Sequence, residues 1–122
     1  MEASELRIGN VVSTLRAIGN YWSWTFISHE DIYSISCGNE NNFKPTPLTE
    51  EWLLKFGFEK TEWDNFNSYR LIIGNNDYAI VLYSDGNCEV GDIITCKIEY
   101  VHQLQNLYFA LKGKELTKQQ EQ

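Results

Sequence analysis

The 122-residue chain has the length of one domain, and a composition that is 43% hydrophobic and 14% aromatic excludes an intrinsically disordered protein. Its net charge of −7 leaves no basic stripe for a nucleic-acid backbone or an anionic membrane surface. We therefore expect no direct nucleic-acid binding and no membrane adsorption. A chain of this size also buries enough apolar surface to fold without disulfides or metals.

The first third of the chain is predicted to be β-structure. A Gly9-Asn10 turn precedes Val11–Thr14, and Trp22–Phe26 alternates strictly between aromatic and hydroxyl side chains. Strict alternation is typical of a strand, so the three rings are expected on one face. Ser28–Asp31 is predicted to be a turn and Ile32–Ser36 a further strand. Short strands of this kind favour a small SH3-like or otherwise barrel-like unit.

The stretch TPLTEEWLLKFGF, residues 46–58, predicts one short helix with both ends marked. Thr49 is expected to cap the helix through its hydroxyl, and Gly57 supplies a left-handed residue after the last turn. Trp52 and Phe56, four residues apart, are expected to pack onto a sheet. Such packing is needed because a helix of about two turns is not stable alone.

Two β-hairpins are predicted after this helix. Tyr69–Ile73 and Tyr78–Tyr83 flank a Gly-Asn-Asn-Asp turn, and Asp85-Gly86 marks the turn that follows. Cys88–Val90 and Ile93–Ile98 are predicted to form the last pair of strands. This part of the chain is therefore expected to be an antiparallel meander.

The end of the chain is predicted to be an amphipathic helix that stops at Gly113. Its apolar positions are separated by steps of three and four residues. That stripe either packs within the chain or forms an isologous homodimer interface, and both arrangements stay open. The residues expected at such a homo-oligomer interface are Leu104, Leu107, Tyr108 and Leu111.

Together these elements predict an α+β protein. It has a barrel-like N-terminal β unit, a short central helix, an antiparallel β-meander and a C-terminal amphipathic helix. Residues 1–122 are expected to form a single domain, with possible sub-units at 1–42 and 43–122 on the two sides of an Asn-rich loop.

The location of the protein is predicted from its start and its cysteines. The first residues lack the basic and apolar regions of a signal peptide, and no apolar run reaches the length of a membrane span. The chain has three cysteines, Cys37, Cys88 and Cys96, which lie far apart in the sequence. An odd number of widely spaced cysteines favours reduced thiols over disulfides. These features predict a cytoplasmic protein.

No catalytic, cofactor or metal site is predicted. His29-Glu30-Asp31 contains groups able to bind a metal or move protons, but neighbouring side chains in an extended segment point apart. A solvated turn explains these residues, and a hairpin turn explains Asp85-Gly86 without a calcium ion. A small hydrolase or nuclease that uses acidic residues with His29 or His102 is the alternative class. A structural or assembly module is a third.

The candidate binding residues are Tyr21, Trp22, Trp24 and Arg70. The rings lie close to a predicted turn, where they can stack on a nucleobase or on a partner's side chain. A cation such as Arg70 or Arg16 favours a nucleotide-like ligand. The same rings can instead belong to the core, and the sequence leaves both interpretations open.

Three segments, Glu5–Asn10, Pro47–Phe58 and Val101–Leu111, carry the motifs ELRIGN, PLTEEWLLKFGF and VHQLQNLYFAL. In this order they resemble a family of small uncharacterised proteins from Bacteroides-group bacteria and their phages and prophages. The resemblance implies no enzymatic activity and no cofactor. It implies a phage-borne binding protein, such as a host-defence inhibitor, that sequesters or inhibits a host component. That component is either a host protein or a nucleotide-like signalling molecule.

Overall fold

The computed structural model describes residues 3–16, 21–38, 43–62, 66–76, 78–91 and 93–117. Within these ranges the protein is α+β, as the sequence predicts, with two antiparallel sheets and three α-helices. The strands are β1 (Val11–Arg16), β2 (Tyr21–Phe26), β3 (Phe43–Pro45), β4 (Glu59–Glu62), β5 (Asn67–Ile72), β6 (Ala79–Tyr83), β7 (Asn87–Val90) and β8 (Ile93–Lys97). The helices are α1 (His29–Ser36), α2 (Glu50–Lys55) and α3 (Val101–Lys112), and a short 3-10 helix covers Ala3–Glu5.

The chain divides into two compact units. The first unit combines Met1–Pro47 with Tyr100–Leu111, and the second combines Leu48–Glu99 with Lys112–Gln122. The first unit is therefore built from two segments that lie far apart in the sequence.

The sheet of the first unit has the antiparallel order β2-β1-β3. Val11 pairs with Phe26 and Arg16 with Tyr21, so the first two strands form the hairpin that the sequence predicts. Within the described residues the sheet is open, and the expected barrel-like form is corrected to a three-stranded sheet. Three strands are too few to close a barrel with a filled interior.

The predicted strand Ile32–Ser36 is wrong, because these residues belong to α1. The helix begins with a capping box. The Ser28 hydroxyl accepts from the Asp31 N–H at 3.2 Å, and the Asp31 carboxylate accepts from the Ser28 N–H at 3.0 Å. This reciprocal pair satisfies two backbone N–H groups at the start of the helix. In the predicted turn and strand, these two groups would need other partners.

The helical spacing of α1 also explains the core of the first unit. Ile32 and Ile35 lie three residues apart and face the same side of the helix. Both pack in a hydrophobic cluster on one face of the sheet. The other members of this cluster are Leu6, Val12, Ile27 and Phe43.

The second unit contains a five-stranded antiparallel meander of order β4-β5-β6-β7-β8. The two predicted hairpins are confirmed as β5–β6 and β7–β8. Strand β4 was not predicted, because Glu59–Glu62 is a polar segment with all four side chains exposed. It pairs with β5 at one edge of the sheet, where no apolar alternation is required.

The predicted central helix is confirmed as α2, and its C-terminal end follows the expected geometry. Gly57 has φ of +94°, a conformation that costs a residue with a Cβ atom more than glycine. Phe58 donates its N–H to the Leu53 carbonyl at 3.0 Å, and Gly57 donates to the Leu54 carbonyl at 3.1 Å. These two bonds constitute a Schellman motif.

The other end of α2 differs from the prediction in one contact. Thr49 occupies the N-cap position with extended backbone angles, but its side chain makes no capping hydrogen bond. Trp52 and Phe56 are buried as expected, with ring centroids 5.6 Å apart. Burial of these two rings, rather than the cap, holds the short helix in place.

Helix α3 ends as predicted, with Gly113 at φ of +70° after its last residue. Its buried face contains two polar residues that the apolar stripe did not predict, His102 and Gln105. The Gln105 side chain accepts from the Val11 N–H at 2.7 Å, which satisfies a buried backbone donor at the start of β1.

A polar network joins the segment before β1 to the same helix. Arg7 Nε and Asn10 Nδ2 both donate to Asn106 Oδ1, at 2.8 and 2.9 Å. Asn106 Nδ2 donates in turn to the Glu5 carbonyl at 2.8 Å. The network therefore fixes the entry of the chain into β1.

Candidate functional site

The strongest candidate site is a row of aromatic rings on β2. Trp22, Trp24 and Phe26 alternate along the strand and therefore point to the same face of the sheet. Their side chains are 38%, 42% and 57% exposed. Four residue steps place the outer two rings about 13 Å apart along the strand.

The opposite face of the sheet carries the hydrophobic cluster beneath α1, in which Val12 and Phe43 take part. Val11, on the same side of the sheet as the rings, is also buried, so buried apolar side chains lie on both faces. The three rings themselves are each more than a third exposed, so the alternative that they form the core is wrong for the side chains described. Large exposed aromatic residues grouped on one surface are typical of interaction sites.

The rings have a defined mutual geometry. Trp24 and Phe26 meet edge to face, with centroids 5.4 Å apart and planes at 81°. The Lys44 ammonium from β3 lies over the Trp22 ring, 4.3 Å from its centroid. We call Trp22, Trp24, Phe26 and Lys44 the aromatic face. Lys44 was not among the predicted site residues, because only the pairing of β3 with β1 brings it to this surface.

Strand register identifies the other side chains on this side of the sheet. Val11, Ser13 and Leu15 of β1 pair with the three aromatic positions, and Ser13 also pairs with Lys44. Paired residues of antiparallel strands share a face. Among these seven side chains, that of Lys44 is the only charged one.

The remaining predicted binding residues are placed as follows. Tyr21 begins β2, but its side chain, like that of Arg16, lies outside the described residues. Arg70 is exposed on β5 and belongs to the second unit, whereas Trp22 and Trp24 belong to the first.

Arg70 lines a cleft of about 450 Å³ in the second unit. Tyr78 and two asparagines, Asn75 and Asn76, line the same cleft. A guanidinium, a ring and two amides are groups that can contact an anionic, planar ligand. The cleft has a volume in the range of small-molecule sites.

A second cleft, of about 510 Å³, lies beside the start of α2 in the same unit. Its Glu50 carboxylate accepts from Tyr69 at 2.9 Å and pairs with Lys60 at 2.6 Å. Lys60 and Tyr69 lower the pKa of Glu50 through these hydrogen bonds. A carboxylate with a lowered pKa and two internal partners is a poor general base at neutral pH. We assign Glu50 to the packing of α2 against the sheet.

The two histidines of the enzyme alternative have different surroundings. His29 is exposed on α1, beside Glu30. His102 is 2% exposed, and both of its ring nitrogens lack a hydrogen-bond partner among the described residues. Within the described ranges, no group of three or more His, Cys, Asp or Glu residues is arranged to hold a metal ion.

The predicted oligomer interface on α3 is only partly at the surface. Leu104 is fully buried within the chain and has no area to offer a second copy, which corrects its assignment. Leu107 and Tyr108 are half-buried, and Leu111 is 37% exposed. The apolar stripe of α3 is therefore used for internal packing at its first half.

No helix in the described ranges combines the length and the apolar character that crossing a membrane requires. Comparison with protein-family models, with curated proteins and with solved structures finds no match to this chain. The resemblance to the Bacteroides-group family therefore stays a prediction, and the case for a function depends on the geometry of the site.

Proposed function

We propose that the chain is a non-enzymatic binding protein that captures a protein partner through its aromatic face. The observation that carries this proposal is the alignment of three exposed rings on one side of β2, across the sheet from the hydrophobic cluster that contains Val12. Trp, Tyr and Phe are enriched at the centres of protein interfaces, where a few buried rings supply most of the binding free energy.

The shape of the site supports a protein rather than a small molecule on this surface. A strand face that extends for about 13 Å is a sheet surface, whereas sites for small ligands are concave and enclose most of the ligand. Two indole rings with few rotatable bonds also lose little conformational entropy when a partner covers them.

The family resemblance supports the biological setting of the proposal. A protein of phage or mobile-element origin that sequesters a host protein needs a binding surface and no catalytic residues. In that setting the partner is a component of the bacterial cytoplasm, and capture inhibits it.

A set of three proteins tests this function: the wild type, a Trp22→Thr/Trp24→Thr variant, and an Ile72→Thr/Ile93→Thr control. Threonine retains β propensity, and the control removes two exposed isoleucines from the second unit. Partners recovered from host lysate are purified and titrated by calorimetry. We expect each lost ring to cost about 2 kcal/mol, or about thirtyfold in Kd, with no change in the control. Equal affinity of all three proteins for every partner would contradict the proposal.

A second candidate function is favoured by the cleft around Arg70. The cleft has groups for each part of a nucleotide-like ligand. The guanidinium can bind a phosphate, the Tyr78 ring can stack on a base, and the asparagine amides can hydrogen-bond to the edge of that base. Calorimetry with a panel of cyclic nucleotides tests it, with Arg70→Gln as the variant. Heat from one nucleotide that Arg70→Gln abolishes would support this function, and no heat with any member would exclude the panel as ligands.

A further inference from the structure

The charge on the aromatic face is opposite in sign to that of the whole chain. The protein carries a net charge of −7, yet the only charged side chain among the seven on this side of the sheet belongs to Lys44. At physiological ionic strength, exposed charges are screened beyond about 8 Å. The net charge therefore affects the rate of approach, whereas Lys44 determines which charge is favourable at the contact.

The position of Lys44 makes its charge part of any interface that covers the rings. Its ammonium lies 4.3 Å from the centre of the Trp22 ring, so a partner that covers Trp22 also removes water from Lys44. A desolvated ammonium that gains no anion or hydrogen-bond acceptor opposes binding. The ring face alone replaces only part of the lost hydration.

We infer that the aromatic face binds an acidic protein segment, in which apolar side chains cover Trp24 and Phe26 and an Asp or Glu carboxylate meets Lys44 at the Trp22 end. This inference rests on the proposed function, since it names the chemistry of the partner that the same face captures. Lys44 lies over Trp22, at one end of the row of rings. The carboxylate of the partner is therefore required at the corresponding end of its apolar side chains.

A nucleic acid is a poorer occupant of the same surface. Rings and a cation also suit stacked bases, but a polyanion needs several cations along its backbone. The seven side chains on this side of the sheet supply one, Lys44. A protein segment with one carboxylate beside its apolar side chains is complementary in charge to this surface, which has one ammonium beside its rings.

A displayed library of short random peptides tests the inference even while the cellular partner is unidentified. Peptides are selected on the wild-type protein and counter-selected on the Trp22→Thr/Trp24→Thr variant, so that only peptides dependent on the rings are kept. Their affinities are then measured against the wild type, Lys44→Arg and Lys44→Glu. Lys44 is exposed, so these substitutions leave the core intact, and circular dichroism checks the fold.

The expected result is that ring-dependent peptides carry Asp or Glu next to two or more apolar residues. Lys44→Glu is expected to weaken them by about tenfold or more, whereas Lys44→Arg retains binding, because a like charge at a contact opposes association. Ring-dependent peptides that are neutral or basic, or that bind Lys44→Glu as tightly as the wild type, would overturn the inference and leave the proposed function standing.

Two further outcomes separate the inference from the proposed function. A library that yields no ring-dependent peptide overturns both. Binding of a single-stranded oligothymidylate that is lost in the Trp22→Thr/Trp24→Thr variant, with no peptide selected, overturns the assignment to a protein partner.

Discussion

His102 is a buried titratable side chain whose ring nitrogens have no hydrogen-bond partner among the described residues. It is buried on α3, its Nε2 lies 3.8 Å from the Glu5 carboxylate, and its ring stacks on that of Tyr100. A neutral imidazole has one donor and one acceptor, and neither has a hydrogen-bond partner among the described residues. Burial without such partners lowers stability, so this residue is a weak point of the first unit.

The pKa of His102 gives a testable pH dependence. Burial lowers it below the ordinary value of 6.5, and the nearby Glu5 carboxylate offsets only part of this shift. The unfolded chain therefore binds a proton more readily than the folded chain. Stability is expected to fall as the pH drops through about 6.5 and to level off, for this residue, below the folded pKa.

Urea denaturation between about pH 5 and pH 8 measures this effect. In His102→Phe the part of the slope that belongs to this histidine is expected to disappear, and stability at low pH to rise by about 1 to 3 kcal/mol. His29→Phe, at an exposed histidine, is the control. A slope that His102→Phe retains in full would show that the dependence arises elsewhere.

At the scale of whole elements, local signals explain α2 better than α1. The end of α2 was predicted correctly because Gly57 and Phe58 form a local motif that depends on backbone geometry alone. Residues 32–36 alternate like a strand, but Ile32 and Ile35 also fit one side of a helix, and a segment this short satisfies both patterns. The spacing of Ser28 and Asp31 is the signal that distinguishes the two.

The sequence predicts the alignment of the rings in the candidate site, but neither their exposure nor the position of Lys44. The alternation of β2 places Trp22 and Trp24 on one side of a strand, but alternation does not say which side of the sheet the core occupies. That choice depends on α1, whose helical form was missed. Lys44 could not be predicted, because its position depends on the pairing of β3 with β1, which is a non-local contact.

The Schellman end of α2 depends on the left-handed conformation of Gly57. In Gly57→Ala the new Cβ is forced into a left-handed conformation at φ of +94°, and we expect a loss of about 1 kcal/mol. Gly57→Asn is expected to lose less, because asparagine tolerates this region better. Thermal denaturation of the two variants measures the difference. A larger loss for asparagine than for alanine would mean that space, not backbone conformation, limits the position.

At the scale of the whole molecule, the first unit depends on residues from both ends of the sequence. Gln105 and Asn106 of α3 hold the chain near Asn10, and Val101 donates its N–H to the Thr46 carbonyl at 2.9 Å. Sequence patterns identify each of these segments separately. They do not identify the pairing, because side-chain contacts between residues about a hundred positions apart leave no periodic signal.

The net charge of the molecule and its aromatic face have opposite effects on solubility, because like charges repel and exposed rings attract. The chain carries −7 at neutral pH and reaches zero net charge near pH 4.7. Repulsion between molecules disappears there, so contacts between exposed rings are no longer opposed. Light scattering of the wild type is expected to peak near pH 4.7.

The Trp22→Thr/Trp24→Thr variant has the same charge at every pH as the wild type, so any difference between them belongs to the rings. Its scattering peak is expected at the same pH but with a smaller amplitude, whereas Ile72→Thr/Ile93→Thr retains more of the wild-type amplitude. Circular dichroism at the same pH separates association of folded molecules from unfolding caused by His102. If the two variants scatter equally, exposed apolar area in general drives association, and the aromatic face has no special affinity for protein surfaces.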